Sequence, residues 1–251
     1  MQMVILCGGL ATRLGDLAKD IPKSMIDIDG KPFLEYQIEN LKNHLIKDIV
    51  LCVGHLSDRI KDYFGDGSNF GVNIQYSYDG DKLLGPIGAI KNAESMLEKE
   101  FFIMYGDSYL SVEFQKAFSF FKEKNKLGLM VVYKNRDKYD KSNLTVENNM
   151  ITSYGNTDAI YIDYGTSILR KKSLEIVPKN TVYTTSQFFS ELIKKNELLA
   201  YIEDKRFYHI GNPEALKEFK NYISRYWNGP DCSIAVPIIR VSLRIPLNES
   251  L

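Results

Sequence analysis

The chain has 251 residues, 44% hydrophobic and 25% charged, an ordinary globular composition with length for one large domain or two small ones. Lys and Arg total 32 and Asp and Glu total 32, so the formal net charge is zero, which argues against a general nucleic-acid or membrane-binding surface. No apolar run approaches the roughly 20 residues needed to span a bilayer.

The N-terminus has no basic region and enters a strand and a glycine loop at once, which does not fit a signal peptide. Cys7, Cys52 and Cys232 are odd in number and widely spaced, and they read as reduced thiols of a cytoplasmic protein, not as a disulfide or zinc set. Residues 3–6 form an apolar strand that runs into Gly8 and Gly9. After the loop, Leu34, Ile38, Leu41 and Leu45 repeat at helical spacing behind Lys31-Pro32. Residues 48–53 suit a buried parallel strand, 57–64 a short helix capped by Ser57 or Asp58, and 72–78 the next strand. Asp79-Gly80-Asp81 reads as a turn. Pro86 sits at the first turn of a helix running through Ile90, Ala93 and Leu97, and residues 101–105 form a strand ending at Gly106-Asp107. This alternation predicts right-handed βαβ units, hence an α/β fold with a mostly parallel sheet and helices on both faces.

From about residue 126 the pattern changes. Residues 127–133, 144–146, 150–154 and 160–169 read as strands separated by short turns, an antiparallel addition over one end of the sheet. A helix over 186–194, short strands over 200–203 and 207–210, and a closing helix over 213–222 complete the expected domain, residues 1–223. Residues 224–251, broken by Trp227-Asn228-Gly229-Pro230, read as a tail of unassigned role.

Chemistry gathers at the first turn. Gly8 and Gly9 let backbone N–H groups approach an anion, Thr12 adds a hydroxyl, Arg13 a planar fork of donors, and Lys23, behind Pro22, a compact charge. The set reads as a triphosphate cradle. Neither the G-x-x-x-x-G-K-[ST] loop nor the G-x-G-x-x-G fingerprint is present. Ligands of an open parallel sheet bind at the carboxyl ends of its strands, so the Gly8–Gly9 loop and Asp107 should share one crevice, where Asp107 could hold Mg²⁺ against phosphate oxygens.

The string Leu6-Cys7-Gly8-Gly9-Leu10-Ala11-Thr12-Arg13-Leu14, with Pro22-Lys23-Ser24-Met25, resembles the signature of sugar-1-phosphate nucleotidylyltransferases. Asp29 to Tyr36, Leu84 to Ile90 and Tyr105-Gly106-Asp107-Ser108 resemble later blocks of that family, in the same order. The likeness covers about residues 2 to 223 and lies nearest the heptose-1-phosphate and mannose-1-phosphate guanylyltransferase branch. It implies a three-layer, Rossmann-like nucleotidyltransferase fold. It also implies attack by a sugar 1-phosphate on the α-phosphorus of a nucleoside triphosphate, giving an NDP-sugar for surface polysaccharide and pyrophosphate.

On that resemblance Arg13, Lys23 and Asp107 are catalytic, and Leu6, Gly8, Gly9, Thr12, Gly85 and Gly88 bind the nucleotide, the last two by close approach to the base. Asp163 contacts sugar hydroxyls, and Asp107 with His209 holds Mg²⁺, or Mn²⁺. Two departures stand out. Gly155 falls near the place of a second lysine, for which Lys134, Lys138 or Lys141 could substitute, and His209 stands where the family carries an acidic ligand. A cytidylyltransferase acting on a non-sugar phosphate and a catalytically weak nucleotide-binding regulatory protein remain open. The expected partners are the two substrates, with no nucleic acid and no membrane; a homo-oligomer is allowed.

Overall fold

The first strand, β1 (Gln2–Leu6), has apolar side chains at successive positions, as a strand covered on both faces requires. In this computed structural model, which describes residues 1–9, 14–15, 20–54, 56–80, 82–156 and 158–226, Met3, Val4 and Ile5 are fully buried. A small hairpin of β2 (Asp27–Ile28) and β3 (Lys31–Pro32) precedes α1 (Phe33–Asn43). Then come β4 (Asp48–Val53), α2 (Ser57–Phe64), β5 (Asn73–Tyr78), α3 (Gly85–Asn92) and β6 (Glu100–Tyr105). The second half holds β7 (Ser108–Tyr109), α4 (Phe114–Lys124), β8 (Gly128–Lys134), β9 (Leu144–Glu147), β10 (Met150–Tyr154) and β11 (Tyr161–Arg170). It closes with α5 (Thr185–Lys194), β12 (Leu198–Glu203), β13 (Tyr208–His209) and α6 (Pro213–Tyr226).

Nine strands form one mixed sheet in the order β5-β4-β1-β6-β11-β8-β12-β10-β9. The first four are parallel, and β11 enters antiparallel between β6 and β8. One apolar cluster joins Met3 and Ile5 to α1, α2 and α4; another joins Val4 to α3 and α5. The protein is therefore a three-layer α/β fold with the expected antiparallel addition. A third cluster packs α6, through Leu216, Phe219 and Ile223, against Phe33, Tyr36 and Tyr109.

Local details depart from expectation. Helix α1 ends at Asn43, and Leu45 takes a left-handed backbone (φ 61°) and is 73% exposed while Ile46 is buried. Helix α2 follows Leu56 in a left-handed conformation with no side-chain cap, so neither Ser57 nor Asp58 caps it. The pattern through Leu97 divides into α3 and a separate 3₁₀ turn at Glu94–Met96. Helix α4 was not anticipated, although buried Phe114, Ala117 and Phe121 have helical spacing. Helix α6 runs to Tyr226, taking in residues assigned to the tail; residues 227–251 lie outside the described residues. Cys7 and Cys52 are buried free thiols, while Cys232 lies outside the described residues.

Candidate active site

The carboxyl ends of β5, β4, β1 and β6 open into one crevice of about 490 Å³ lined by Leu6, Gly8, Gly9, Lys23, Asp79 and Asp107, among others. Its position follows from topology: β4 and β6 flank β1, and the chain reaches β4 from β1 through α1 on one face but β6 from β5 through α3 on the other, which opens a gap at the end of β1. Gly106 ties the ends together. Its N–H donates to the Leu6 carbonyl at 3.0 Å, and a Cβ on it would lie 2.6 Å from that oxygen. Only glycine fits there, and the next residue, Asp107, is delivered into the crevice.

Asp107 is braced from behind. The amide of buried Gln37, on α1, donates to the carbonyls of Tyr105 (2.9 Å) and Ser108 (2.7 Å), and Asn40 donates to Leu110 at 2.8 Å. On the other side Ile210 N–H donates to the Asp107 carbonyl at 2.9 Å, within the β7–β13 pairing that sets His209 opposite Ser108. The sequence reading missed Gln37 and Asn40. Their signal was two amides on a helix face otherwise occupied by Phe33, Leu34, Ile38 and Leu41.

Lys23 begins a 3₁₀ turn behind Pro22, and its Nζ lies 2.5 Å from Asp107 Oδ2. The structure thus joins two residues 84 positions apart in a half-buried ion pair. Gly8 and Gly9 line the same space. Neither has positive φ, and among the described residues nothing lies within 4 Å of where a Cβ on Gly9 would project. Neither its conformation nor the packing of the described residues demands glycine at that position, which fits the approach of a ligand. Thr12 and Arg13 lie outside the described residues.

Gly85 lines the crevice with φ 72°. Gly88 has a packing reason instead, since the Thr181 carbonyl sits 2.6 Å from where its Cβ would be. Asp79, read from sequence as part of a turn, lines the crevice; its Oδ2 accepts from Leu84 N–H at 3.3 Å. Burial raises its pKa, and the Leu84 bond offsets this in part.

Asp163 lies on β11 beside β6. It accepts from Gly165 N–H at 2.9 Å and from the Tyr105 hydroxyl at 3.2 Å, and Tyr105 itself lines the crevice. Burial pushes its carboxyl up to about 6 despite both bonds. Gly165 has φ 102°, within an irregular stretch of the β11–β8 pairing, and its N–H turns back to the Asp163 carboxylate. Gly155 is exposed with φ 88°, a conformation unfavourable to lysine, and its N–H donates to Asn143. Lys134, Lys138 and Lys141 are exposed, with Lys138 over the Tyr139 ring. Among the described residues that line the crevice, Lys23 supplies the positive side chain.

The donor set fits Mg²⁺ only in part. Mg²⁺ is commonly held by one or two carboxylates together with phosphate oxygens and water, which Asp107 beside an open ligand space satisfies. His209 does not fit as arranged, because its Nδ1 accepts Gly211 N–H at 3.0 Å. Burial lowers its pKa, so the ring is neutral, with the proton on Nε2 and no free lone pair for a cation. Among the described residues no group of three or more His, Cys, Asp or Glu is placed to hold a metal.

A glycine turn, a lysine and an aspartate at the ends of parallel strands define a phosphate-handling α/β enzyme. Residues 2–142 match the nucleotidyl transferase family, and the chain belongs to it. It is 33% identical over 225 residues to D-glycero-alpha-D-manno-heptose 1-phosphate guanylyltransferase of Campylobacter jejuni, covering 87% of this chain and 98% of that protein. Identity to UTP–glucose-1-phosphate uridylyltransferase of Synechocystis is 28%, over 84% of this chain and 53% of that protein. HddC from Yersinia pseudotuberculosis, solved in complex with GMP-PN, superposes with TM-score 0.74 at 26% identity, covering 88% of this chain and 99% of that one.

Proposed function

We propose that the protein joins a nucleoside triphosphate to a sugar 1-phosphate, giving an NDP-sugar and pyrophosphate. The observation that carries this reading is the Lys23–Asp107 pair beside the Gly8–Gly9 turn, in a crevice with room for a nucleotide. An oxygen of the sugar phosphate attacks the α-phosphorus; its bond to the bridging oxygen of the β-phosphate breaks, and pyrophosphate leaves with that electron pair. The attacking group is already an anion near neutral pH, so alignment and charge neutralisation suffice.

In this reading Lys23 turns from Asp107 to the reacting phosphates, and Arg13 stabilises the departing pyrophosphate. Asp107 holds Mg²⁺, or Mn²⁺, which when bound withdraws charge from the phosphate oxygens. Asp163 accepts from sugar hydroxyls, and Leu6, Gly8, Gly9 and Thr12 seat the nucleotide. His209 shapes the Gly211 turn, whose Cα faces Lys23, and its ring nitrogen reaches the metal only if that turn rearranges. The product would feed surface polysaccharide synthesis in the cytoplasm. No helix among the described residues is long and apolar enough to cross a membrane.

The test is pyrophosphate release across a panel of triphosphates, sugar 1-phosphates and non-sugar phosphates with Mg²⁺. Release that requires one triphosphate and one sugar 1-phosphate is the expected result. Release with a non-sugar phosphate alone would favour the cytidylyltransferase-type alternative, and nucleotide binding without release would favour a regulatory protein.

A further inference from the structure

Asp107 is held on one side by a strand too short to hold itself. Strand β13 has two residues, paired with the two of β7, and an isolated pairing of two strands is marginal in water. Yet the residue after this strand, Ile210, bonds the Asp107 carbonyl, and the chain then enters the Gly211 turn facing Lys23. The residues around β13 supply the support. Phe207 packs into the core, its ring centroid 5.6 Å from that of Tyr164 and 6.1 Å from that of Tyr133. Arg206 lies over two rings, with its guanidinium carbon 4.0 Å from the Tyr139 centroid and 4.7 Å from that of Tyr208. Tyr208 in turn stacks on Tyr222 of α6 at 4.2 Å, with 26° between the planes.

We propose that Arg206 is a positioning residue, whose guanidinium locks β13 to its surroundings and thereby places Asp107 for the reaction. This rests on Asp107 acting in the proposed transfer. Three segments distant in sequence meet at this side chain: the turn after β8 through Tyr139, β13 through Tyr208, and α6 through Glu218, to which Arg206 also donates. The first of these is itself braced. Tyr139 N–H donates to the side chain of buried Asn135 at 3.1 Å. Asp137 N–H donates to Ser142 Oγ at 3.0 Å, and Ser142 N–H returns a bond to Asp137 Oδ1 at 2.7 Å.

These contacts require arginine in particular. A planar guanidinium lies against aromatic faces while its edge bonds a carboxylate, whereas a lysine ammonium can pair with Glu218 but offers no plane to stack. Arg206 Nε is buried with no hydrogen-bond partner among the described residues. Leaving a buried donor unpaired is unfavourable, so the ion pair with Glu218 alone does not account for an arginine here. The ring contacts do. Arg206 is not among the described residues that line the crevice, so its effect on the reaction must pass through β13.

The experiment compares Arg206→Lys, Glu218→Gln, Tyr139→Leu and Tyr139→Phe in the full chain, by steady-state pyrophosphate release and by amide hydrogen exchange at Ile210. Exchange reads the bond to the Asp107 carbonyl without reference to activity. Arg206→Lys and Tyr139→Leu should each speed Ile210 exchange at least about tenfold relative to the amides of β1. Both should lower kcat about fivefold or more, with each substrate's KM within about twofold of wild type. Glu218→Gln and Tyr139→Phe leave the guanidinium against its rings and should stay within about twofold of wild type in every reading. Should Arg206→Lys fail to fold, Tyr139→Leu against Tyr139→Phe decides the point from the other side of the contact. Wild-type exchange and kcat in Arg206→Lys would overturn the proposal. So would a Glu218→Gln that lost as much as Arg206→Lys, since the ion pair would then be the working contact. Faster exchange with unchanged kcat would remove the positioning role but leave the enzyme reading, whereas a wild type that releases no pyrophosphate would remove both.

Discussion

The two halves of the sheet hold their polar groups in different ways. At the ends of the parallel strands, charge is concentrated and the backbone is fixed: Gly106 can only be glycine, and Asp107 is clamped by Gln37 and Ile210 with Lys23 against it. In the antiparallel addition, Gly155 stands where a lysine was expected, and Asp163 is a partly buried carboxyl bonded to a phenol and a backbone N–H. In the proposed reading, one half neutralises phosphates and the other reads neutral hydroxyls. The work of charge stabilisation should therefore fall on the parallel half.

The largest effects should come from removing its cations. Lys23→Ala and Arg13→Ala are each expected to lower turnover by about a thousandfold, in line with losing a charge aimed at a transition state. Thermal stability of Lys23→Ala should change by about 1 kcal/mol or less, because Asp107 keeps access to solvent once its half-buried partner is gone. Steady-state kinetics with thermal melts checks both. Asp107→Asn should lower turnover at limiting Mg²⁺ by about a hundredfold and raise the Mg²⁺ concentration needed for half activity, which a metal titration reads.

Gln37→Leu sharpens the comparison from behind the site. It removes the Gln37 donor from the Tyr105 and Ser108 carbonyls, at a cost of about 2 kcal/mol in chemical denaturation. Turnover should fall about tenfold through misplacement of Asp107, with nucleotide affinity nearly unchanged. In the other half Asp163→Asn should act mainly through pH. The folded carboxyl titrates near 6, above its ordinary 3.8, so the cost of keeping it ionised is absent below about pH 4 and complete above about pH 6. The variant should be more stable than wild type by about 1–3 kcal/mol at pH 7.5, and that gain should vanish toward pH 4. Wild-type affinity for the sugar 1-phosphate should weaken as pH falls through 6, and the variant should lack this limb.

Much of the crevice at the ends of the parallel strands was legible in the sequence. The apolar run of β1, the glycine pair and the proline-held Lys23 are local patterns, and strand-helix alternation placed Asp107 in the same crevice. What escaped depended on contacts distant in sequence. Gln37 and Asn40 are helix residues until the Tyr105–Leu110 segment is seen beneath them. Asp79 belongs to a turn until its carboxylate is found beside Gly8. Gly88 is a packing glycine because of Thr181, nearly a hundred positions on. His209 runs the other way: its place in the motif suggests a ligand, whereas in the fold its Nδ1 accepts Gly211 N–H.

The most direct test of this division of labour is to measure kcat and the sugar 1-phosphate KM in parallel for Lys23→Ala and Asp163→Asn. Lys23→Ala should lose kcat with little change in KM, and Asp163→Asn should raise KM about tenfold with kcat within a few fold of wild type. If Asp163→Asn lowered kcat as far as Lys23→Ala does, charge stabilisation would be shared by both halves of the sheet, and this account of the site would be contradicted.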